Sequence, residues 1–132
     1  LPYSVEKSLK NYQLTIKSLE YIKLKSDEIN SKIFFSTYPY GWFVNKNNSK
    51  YYQLKNFGKI LDFTSNTVYP DLVNEISKKL EIQNLDSYSY FKKLNGDYWG
   101  IYDPHFNKDG YEKYSEYLLI QLDKYIENNI KK

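Results

Sequence analysis

The sequence predicts an α/β fold in which helices flank a parallel sheet, and three observations support this prediction. Residues 32–38 and 81–85 are short strand-like runs. Residues 4–30, 70–80 and 111–126 carry apolar side chains at helical spacing. The order along the chain is helix, strand, helix, strand, loop, helix, which is the order that connects parallel strands through helices. In such folds a site is expected at the carboxyl ends of the strands and in the loops after them.

The first helix is predicted from residue 4 to about residue 30, because its apolar residues recur about every three to four positions among charged ones. These apolar positions are Leu9, Tyr12, Leu14, Ile16, Leu19, Ile22 and Ile29. The first strand follows as an apolar and β-branched run that Pro39 and Gly41 end. Phe34 and Phe35 of that run are predicted core residues, and the segment from Tyr38 to Trp42 comes directly after the strand.

The middle of the chain is predicted as loop, helix and strand in turn. Residues 45–50 are polar and predict a loop, and residues 51–69 allow a short helix followed by a turn. A second helix is predicted from Pro70, and a second strand across residues 81–85 leads into a loop at residues 86–91.

The carboxyl-terminal part is predicted as a turn and then a closing helix. Asn95-Gly96-Asp97 is a turn signal. The last helix follows Asp109-Gly110, and its apolar stripe is predicted to be packing. The residues of that stripe are Tyr111, Tyr114, Tyr117, Leu118 and Tyr125, and Leu122 and Ile126 also mark the helix.

Composition favours one folded domain and argues against two classes of partner. The chain has 132 residues, of which 41% are hydrophobic, and this suffices for a real core. The net charge of +3 is scattered, and no basic run is longer than two residues, the Lys131-Lys132 tail included, so no nucleic-acid partner is predicted. No apolar run approaches the roughly 18 to 20 residues that cross a bilayer, so no membrane span is predicted and the chain is expected to be soluble.

The residue usage also bears on origin and compartment. Ala, Arg, Cys and Met are absent while Lys, Asn, Tyr and Ile are abundant, which is typical of an AT-rich, bacterial-like genome. Without Cys no disulfide framework exists, and the cytoplasm and the cell envelope both stay open as compartments. Because the chain opens on Leu1-Pro2-Tyr3 without Met, it is expected to be a piece of a longer protein.

The only histidine, His105, lies two residues after Asp103 and just before the last helix. An imidazole can take a proton from a hydroxyl and return it to a leaving group, while a carboxylate orients its other ring nitrogen. Pro104 restricts Asp103 to extended backbone, which suits a rigid loop. On these residues alone, a catalytic pair and an ordinary surface histidine both stay open. With no second His and no Cys, neither a metal site nor a cofactor is predicted.

The block Asp103-Pro104-His105-Phe106-Asn107-Lys108-Asp109-Gly110-Tyr111, followed by an amphipathic helix, resembles the last sequence block of the SGNH (GDSL-like) hydrolases and related acyltransferases. The resemblance implies that His105 is the general base and Asp103 its partner, although the spacer is one residue shorter than in the usual Asp-x-x-His. Residues 33–40 and 80–91 are similar to the strands and turns that precede this block in the family, so the resemblance extends from about residue 5 onward.

The resemblance implies a partial flavodoxin-like three-layer parallel sheet, with residues 1–132 as the carboxyl-terminal part of the domain. The family's Gly-Asp-Ser nucleophile block and its oxyanion-hole blocks do not occur in this sequence. Asn95-Gly96-Asp97 is followed by Tyr98, where a nucleophile block needs Ser. The expected partner is therefore an amino-terminal remainder of the same protein that carries the Ser, and this chain alone is expected to be inactive.

The implied activity is that of a serine esterase or O-acyltransferase acting on a small-molecule or glycan ester, with an acylated carbohydrate as the expected substrate. Tyr38, Tyr40 and Trp42 are predicted substrate-binding residues, because aromatic faces cover acyl chains and stack on sugar rings. Together with Phe43 they could equally be core aromatics. The alternative function is a non-catalytic carbohydrate-binding or interaction module on the same fold, which the missing nucleophile and this aromatic segment favour.

Overall fold

The computed structural model describes residues 5–66 and 68–129, with side chains from residue 11 onward. The chain is mostly helical, with 60% helix and 7% strand. Its elements in chain order are α1 (Val5–Glu28), β1 (Phe34–Ser36), α2 (Gly41–Val44), α3 (Lys50–Phe57), α4 (Val68–Leu80), β2 (Gln83–Leu85), α5 (Ser87–Lys92) and α6 (Lys108–Asn129). None of the helices in this described part is long and apolar enough to cross a membrane.

The expected flavodoxin-like three-layer sheet is wrong. Strands β1 and β2 form a two-stranded parallel sheet, and no further strand joins it among the described residues. The physical reason is that the sequence contains only two strand-like runs, and each forms just three residues of strand. The α/β layer architecture that the order of the elements predicts is wrong for the same reason, because two strands of three residues leave most of the chain in helices.

Individual elements agree better with the sequence. The long first helix, the two strands and the closing helix lie within one to three residues of their predicted positions. Residues 86–91, predicted as a loop, instead form α5. The side chain of Asp86 accepts a hydrogen bond from the backbone N–H of Ser89 at 3.0 Å, and this N-cap starts the helix.

Two compact units make up the chain. The first contains Leu1–Phe35 and Asp71–Asn84, and the second contains Ser36–Pro70 and Leu85–Lys132. The core of the first unit is a cluster of buried aliphatic side chains, with partly buried neighbours packed against it. The buried members are Ile16, Ile76, Leu80 and Ile82. Because Ile76 and Leu80 are one helical turn apart, they lie on the same face of α4.

The second unit has an aromatic core formed by Phe91, Trp99 and Phe106. The ring centroids of Phe91 and Phe106 are 4.6 Å apart, and those of Trp99 and Phe106 are 5.3 Å apart. The indole N–H of Trp99 donates to the carbonyl of Pro39 at 3.0 Å, so the one polar atom of this side chain is paired. Gly41 makes room for the indole, since a Cβ there would lie 2.8 Å from Cγ of Trp99. This core holds the segment that contains His105.

Candidate active site

A short loop closed by the aromatic core carries the Asp103–His105 pair. Trp99 and Phe106 form an antiparallel bridge that encloses residues 100–105. Inside the bridge, the N–H of Gly100 donates to the carbonyl of His105 at 2.8 Å. Both bridge residues are buried, so the base of the loop is fixed by packing.

Three residues of the 103–111 block have a structural explanation. Phe106 is a core residue. The side-chain oxygen of Asn107 accepts the N–H of Gly110 at 2.9 Å and so caps the start of α6. A Cβ at Gly110 would lie 2.1 Å from the carbonyl oxygen of Tyr98, so only glycine fits there. Packing and capping therefore account for Phe106, Asn107 and Gly110.

Packing does not account for Asp103 and His105, whose side chains are 62% and 57% exposed. One carboxylate oxygen of Asp103 accepts the backbone N–H of His105 at 2.7 Å and also contacts Nδ1 of its ring. The backbone N–H of His105, followed by its side chain, lowers the pKa of the Asp103 carboxyl. Because the ionised carboxylate has no proton to give, Nδ1 is the donor in this contact, which leaves Nε2 as the ring nitrogen that can exchange a proton with a ligand.

A buried serine supports the backbone of this pair. The hydroxyl of Ser49 donates to the carbonyl of Asp103 at 3.0 Å, and Ser49 is only 3% exposed. Ser49 precedes the first residue of α3 but does not cap the helix with its side chain. The N–H of Tyr52, in the first turn of α3, donates to the carbonyl of Ile101 at 3.3 Å. The sequence placed Ser49 in an ordinary polar loop and offered no signal for this role.

Tyr38, a predicted substrate-binding residue, contacts the loop through its hydroxyl. That oxygen accepts the backbone N–H of Phe106, and the ring centroid of Tyr38 lies 6.1 Å from that of His105. Burial raises the pKa of Tyr38 well above its usual value, and the N–H of Phe106 opposes this rise only in part. Tyr38 thus stays a neutral phenol whose oxygen is already engaged by the protein.

His105 lies on the wall of a cavity of about 510 Å³ in the second unit. The cavity is lined mainly by aromatic and proline side chains: Tyr38, Pro39, Tyr40, Phe43, Tyr69, Pro70, Tyr88 and His105. The segment from Tyr38 to Tyr40 enters it from the end of β1, and Tyr88 enters it from α5, just after β2. The sequence did not single out Tyr69, Pro70 or Tyr88, because they lie far from the first strand along the chain.

The other two predicted substrate-binding residues differ in position. Tyr40 is 43% exposed, lines the cavity and has its ring centroid 6.4 Å from that of His105. Trp42 is 8% exposed and is not among the described residues that line this cavity. Its ring stacks on Tyr40 at 5.2 Å and on Tyr52 at 5.7 Å between centroids. The geometry therefore gives Tyr40 direct access to a ligand, whereas Trp42 supports the Tyr40 ring.

Comparison with known proteins finds no relative. No family model, no curated protein and no solved structure matches this chain. The resemblance of the 103–111 block to SGNH enzymes therefore stays a prediction, and the site is interpreted from its own geometry. Within the described residues, no group of three or more His, Cys, Asp or Glu side chains could hold a metal ion. In the same residues, no serine or threonine hydroxyl is hydrogen-bonded to the His105 ring.

Proposed function

We propose that this chain provides the histidine–aspartate pair of an SGNH-type serine esterase or O-acyltransferase that acts on an acylated carbohydrate. The observation that carries the proposal is the exposed imidazole of His105, oriented by Asp103 and bordering an aromatic cavity. A histidine with its Nδ1 held by a carboxylate and its Nε2 free of the protein core is arranged to accept a proton.

In the proposed reaction the serine nucleophile and the oxyanion donors come from the remainder of the same protein, outside this chain. The serine oxygen attacks the ester carbonyl carbon, and its proton passes to Nε2 of His105. The bond to the alcohol then breaks, and the alcohol leaves with the proton from the imidazolium. Water or a sugar hydroxyl next attacks the acyl-enzyme and gives its proton to Nε2, which returns it to the serine. Asp103 holds the ring and stabilises the imidazolium throughout.

The test is hydrolysis of p-nitrophenyl acetate by the native protein that contains this chain, with p-nitrophenol release counted in water and with added sugar acceptor. We expect His105→Ala to lower kcat by about 10²- to 10⁴-fold, because the proton acceptor is lost. Asp103→Asn should lower kcat as well, because the amide oxygen can still accept both N–H groups of His105 but carries no charge to stabilise the imidazolium. The 132-residue chain by itself should release no p-nitrophenol above background.

The matched control is Lys108→Ala, an exposed residue three positions after His105, whose ion pair with Glu112 lies on the surface of α6. This variant should keep wild-type kcat within about twofold, since exposed ion pairs contribute little. Activity of His105→Ala equal to that of the Lys108→Ala control would overturn the proposal.

A second candidate is a carbohydrate-binding module without catalysis, and the exposed aromatic faces of Tyr40 and Tyr69 favour it. Sugar rings stack on such faces without any need for a histidine–aspartate pair. Under this function the native protein binds a glycan, Tyr40→Ala weakens that binding, and His105→Ala leaves it unchanged while no ester is cleaved. Ester cleavage that depends on His105 would exclude it.

A further inference from the structure

We propose that the cavity beside His105 binds the acyl group of the ester, and that this group is an apolar chain longer than acetyl. This inference rests on the proposed function and names the part of the substrate that the cavity takes. The sugar or other alcohol then lies outside the cavity, next to the exposed rim.

The tyrosine hydroxyl groups on the buried wall of the cavity are already hydrogen-bonded to the protein backbone. Tyr88 is 6% exposed, and its hydroxyl donates to the carbonyl of Phe43 at 2.9 Å. The hydroxyl of Tyr38 accepts the N–H of Phe106. The hydroxyl groups of a sugar in the cavity would lose their hydrogen bonds to water and could not replace them with bonds to Tyr88 or Tyr38. Each sugar hydroxyl left without a partner would lower the affinity about tenfold or more.

The other buried lining groups have no side-chain donors or acceptors. Pro39 is buried and Pro70 is half-buried, and neither has a backbone N–H. Phe43 packs on Phe63 with ring centroids 5.6 Å apart, so its ring is held as part of the wall. Such a surface takes alkyl groups in preference to hydroxyl groups.

The polar and exposed lining residues are Tyr40, Tyr69 and His105, and these mark the mouth of the cavity. With His105 at the mouth and apolar side chains deeper in, an ester carbonyl near Nε2 would direct its acyl chain inward and its alcohol outward. The face of Tyr40, whose ring centroid lies 6.4 Å from that of His105, suits a sugar ring on the alcohol side, whereas Tyr69, next to Pro70, extends the apolar wall for the acyl chain.

The size of the cavity argues against acetyl as the preferred acyl group. Its volume of about 510 Å³ falls within the range of small-molecule sites, roughly 300 to 1,000 Å³. A bound acetyl group would fill little of this volume, so most of the apolar wall would stay in contact with water. Each methylene that the wall covers should raise kcat/KM about threefold to fourfold, so a hexanoyl ester should exceed an acetyl ester by about 100-fold.

The experiment measures kcat/KM of the native protein for p-nitrophenyl acetate, butyrate and hexanoate, and separately measures binding of acetamide, hexanamide and glucose by calorimetry. Tyr69→Ser removes an exposed aromatic face from the cavity, and we expect it to lower the hexanoate-to-acetate ratio at least tenfold. Tyr51→Ser is the matched control, because Tyr51 is similarly exposed, at 53% against 49%, and does not line the cavity. It should leave the ratio unchanged.

Two results would overturn the inference. The first is a kcat/KM for p-nitrophenyl acetate equal to or above that for the hexanoate. The second is a wild-type protein that binds glucose but not hexanamide, together with a Tyr69→Ser variant that no longer binds glucose. A third result is that no ester is cleaved, but hexanamide binds more tightly than acetamide and Tyr69→Ser weakens this binding. That result would support the apolar binding site and contradict the catalytic proposal. The binding measurement thus separates the two proposals.

Discussion

At the scale of single residues, the backbone of the Asp103–His105 pair is supported by a hydroxyl that belongs to another element. Ser49 donates to the carbonyl of Asp103 from the start of α3, and it is buried while the side chain of Asp103 is exposed. The carboxylate of Asp103 is therefore exposed to solvent, while the backbone of Asp103 is hydrogen-bonded to a buried side chain. This division lets the carboxylate be ionised in water while its position is set by the core.

Ser49→Ala should lower the free energy of unfolding by about 1 kcal/mol and, under the proposed function, lower kcat for ester cleavage about tenfold, because the carbonyl of Asp103 loses its buried partner. Steady-state kinetics and urea unfolding measure the two effects. The control is Ser65→Ala, at an exposed position, which should change neither quantity. A loss of stability in Ser49→Ala with unchanged kcat would mean that Ser49 holds the fold but does not position Asp103.

At the scale of elements, the start of α6 and the loop that carries His105 are built together. Asn107 caps the helix through the N–H of Gly110, and a second contact joins its side chain to the carbonyl of Asp97 at 2.8 Å. Since Asn107 is only two residues beyond His105, the capped start of α6 also fixes the backbone close to the His105 ring.

Gly110→Ala should lower the free energy of unfolding by about 3 kcal/mol, because the added methyl group would meet the carbonyl of Tyr98 and the side chain of Phe106. Gly58→Ala is the matched control, as its Cβ would have open space but would adopt a φ of 68°. That conformational strain should cost only about 1 kcal/mol. Chemical denaturation of both variants measures the difference, and equal losses would contradict the steric explanation.

The sequence predicted the elements better than it predicted the sheet or the ring positions. Helical spacing located α1 and α6, because this signal is repeated over many residues. The one-turn helix α2 was not predicted. Tyr40 lies at its N-cap and lines the cavity, whereas Trp42 lies within the helix and is buried. In the candidate site, the Asp103–His105 contact followed from short spacing, whereas Tyr69 and Tyr88 reach the cavity only through the tertiary fold.

At the scale of the whole molecule, each of the two compact units has its own hydrophobic cluster, and the two clusters share no residue. Both tryptophans, Trp42 and Trp99, belong to the second unit. Their fluorescence therefore reports on the unit that contains the candidate active site, while circular dichroism reports on helices of both units.

Ile76→Ala should destabilise the first unit by about 2 to 5 kcal/mol, because it removes a buried aliphatic side chain and leaves a cavity. We expect part of the helical signal to unfold at a lower urea concentration while the midpoint by tryptophan fluorescence stays in place. The reciprocal variant Phe91→Ala, in the core of the second unit, should lower the fluorescence midpoint. Identical shifts of both signals in Ile76→Ala would show that the chain unfolds as one cooperative body.

The short loop between Trp99 and Phe106 also keeps low the conformational entropy lost when the Asp103 and His105 side chains come together. Asp103 and His105 are separated by one residue, so bringing their side chains together closes a very short segment and orders little additional chain. Residues recruited from distant parts of a chain would require much of the molecule to be ordered first. Once the two bridge residues are buried, the imidazole and the carboxylate are therefore already close together, without further ordering of distant segments.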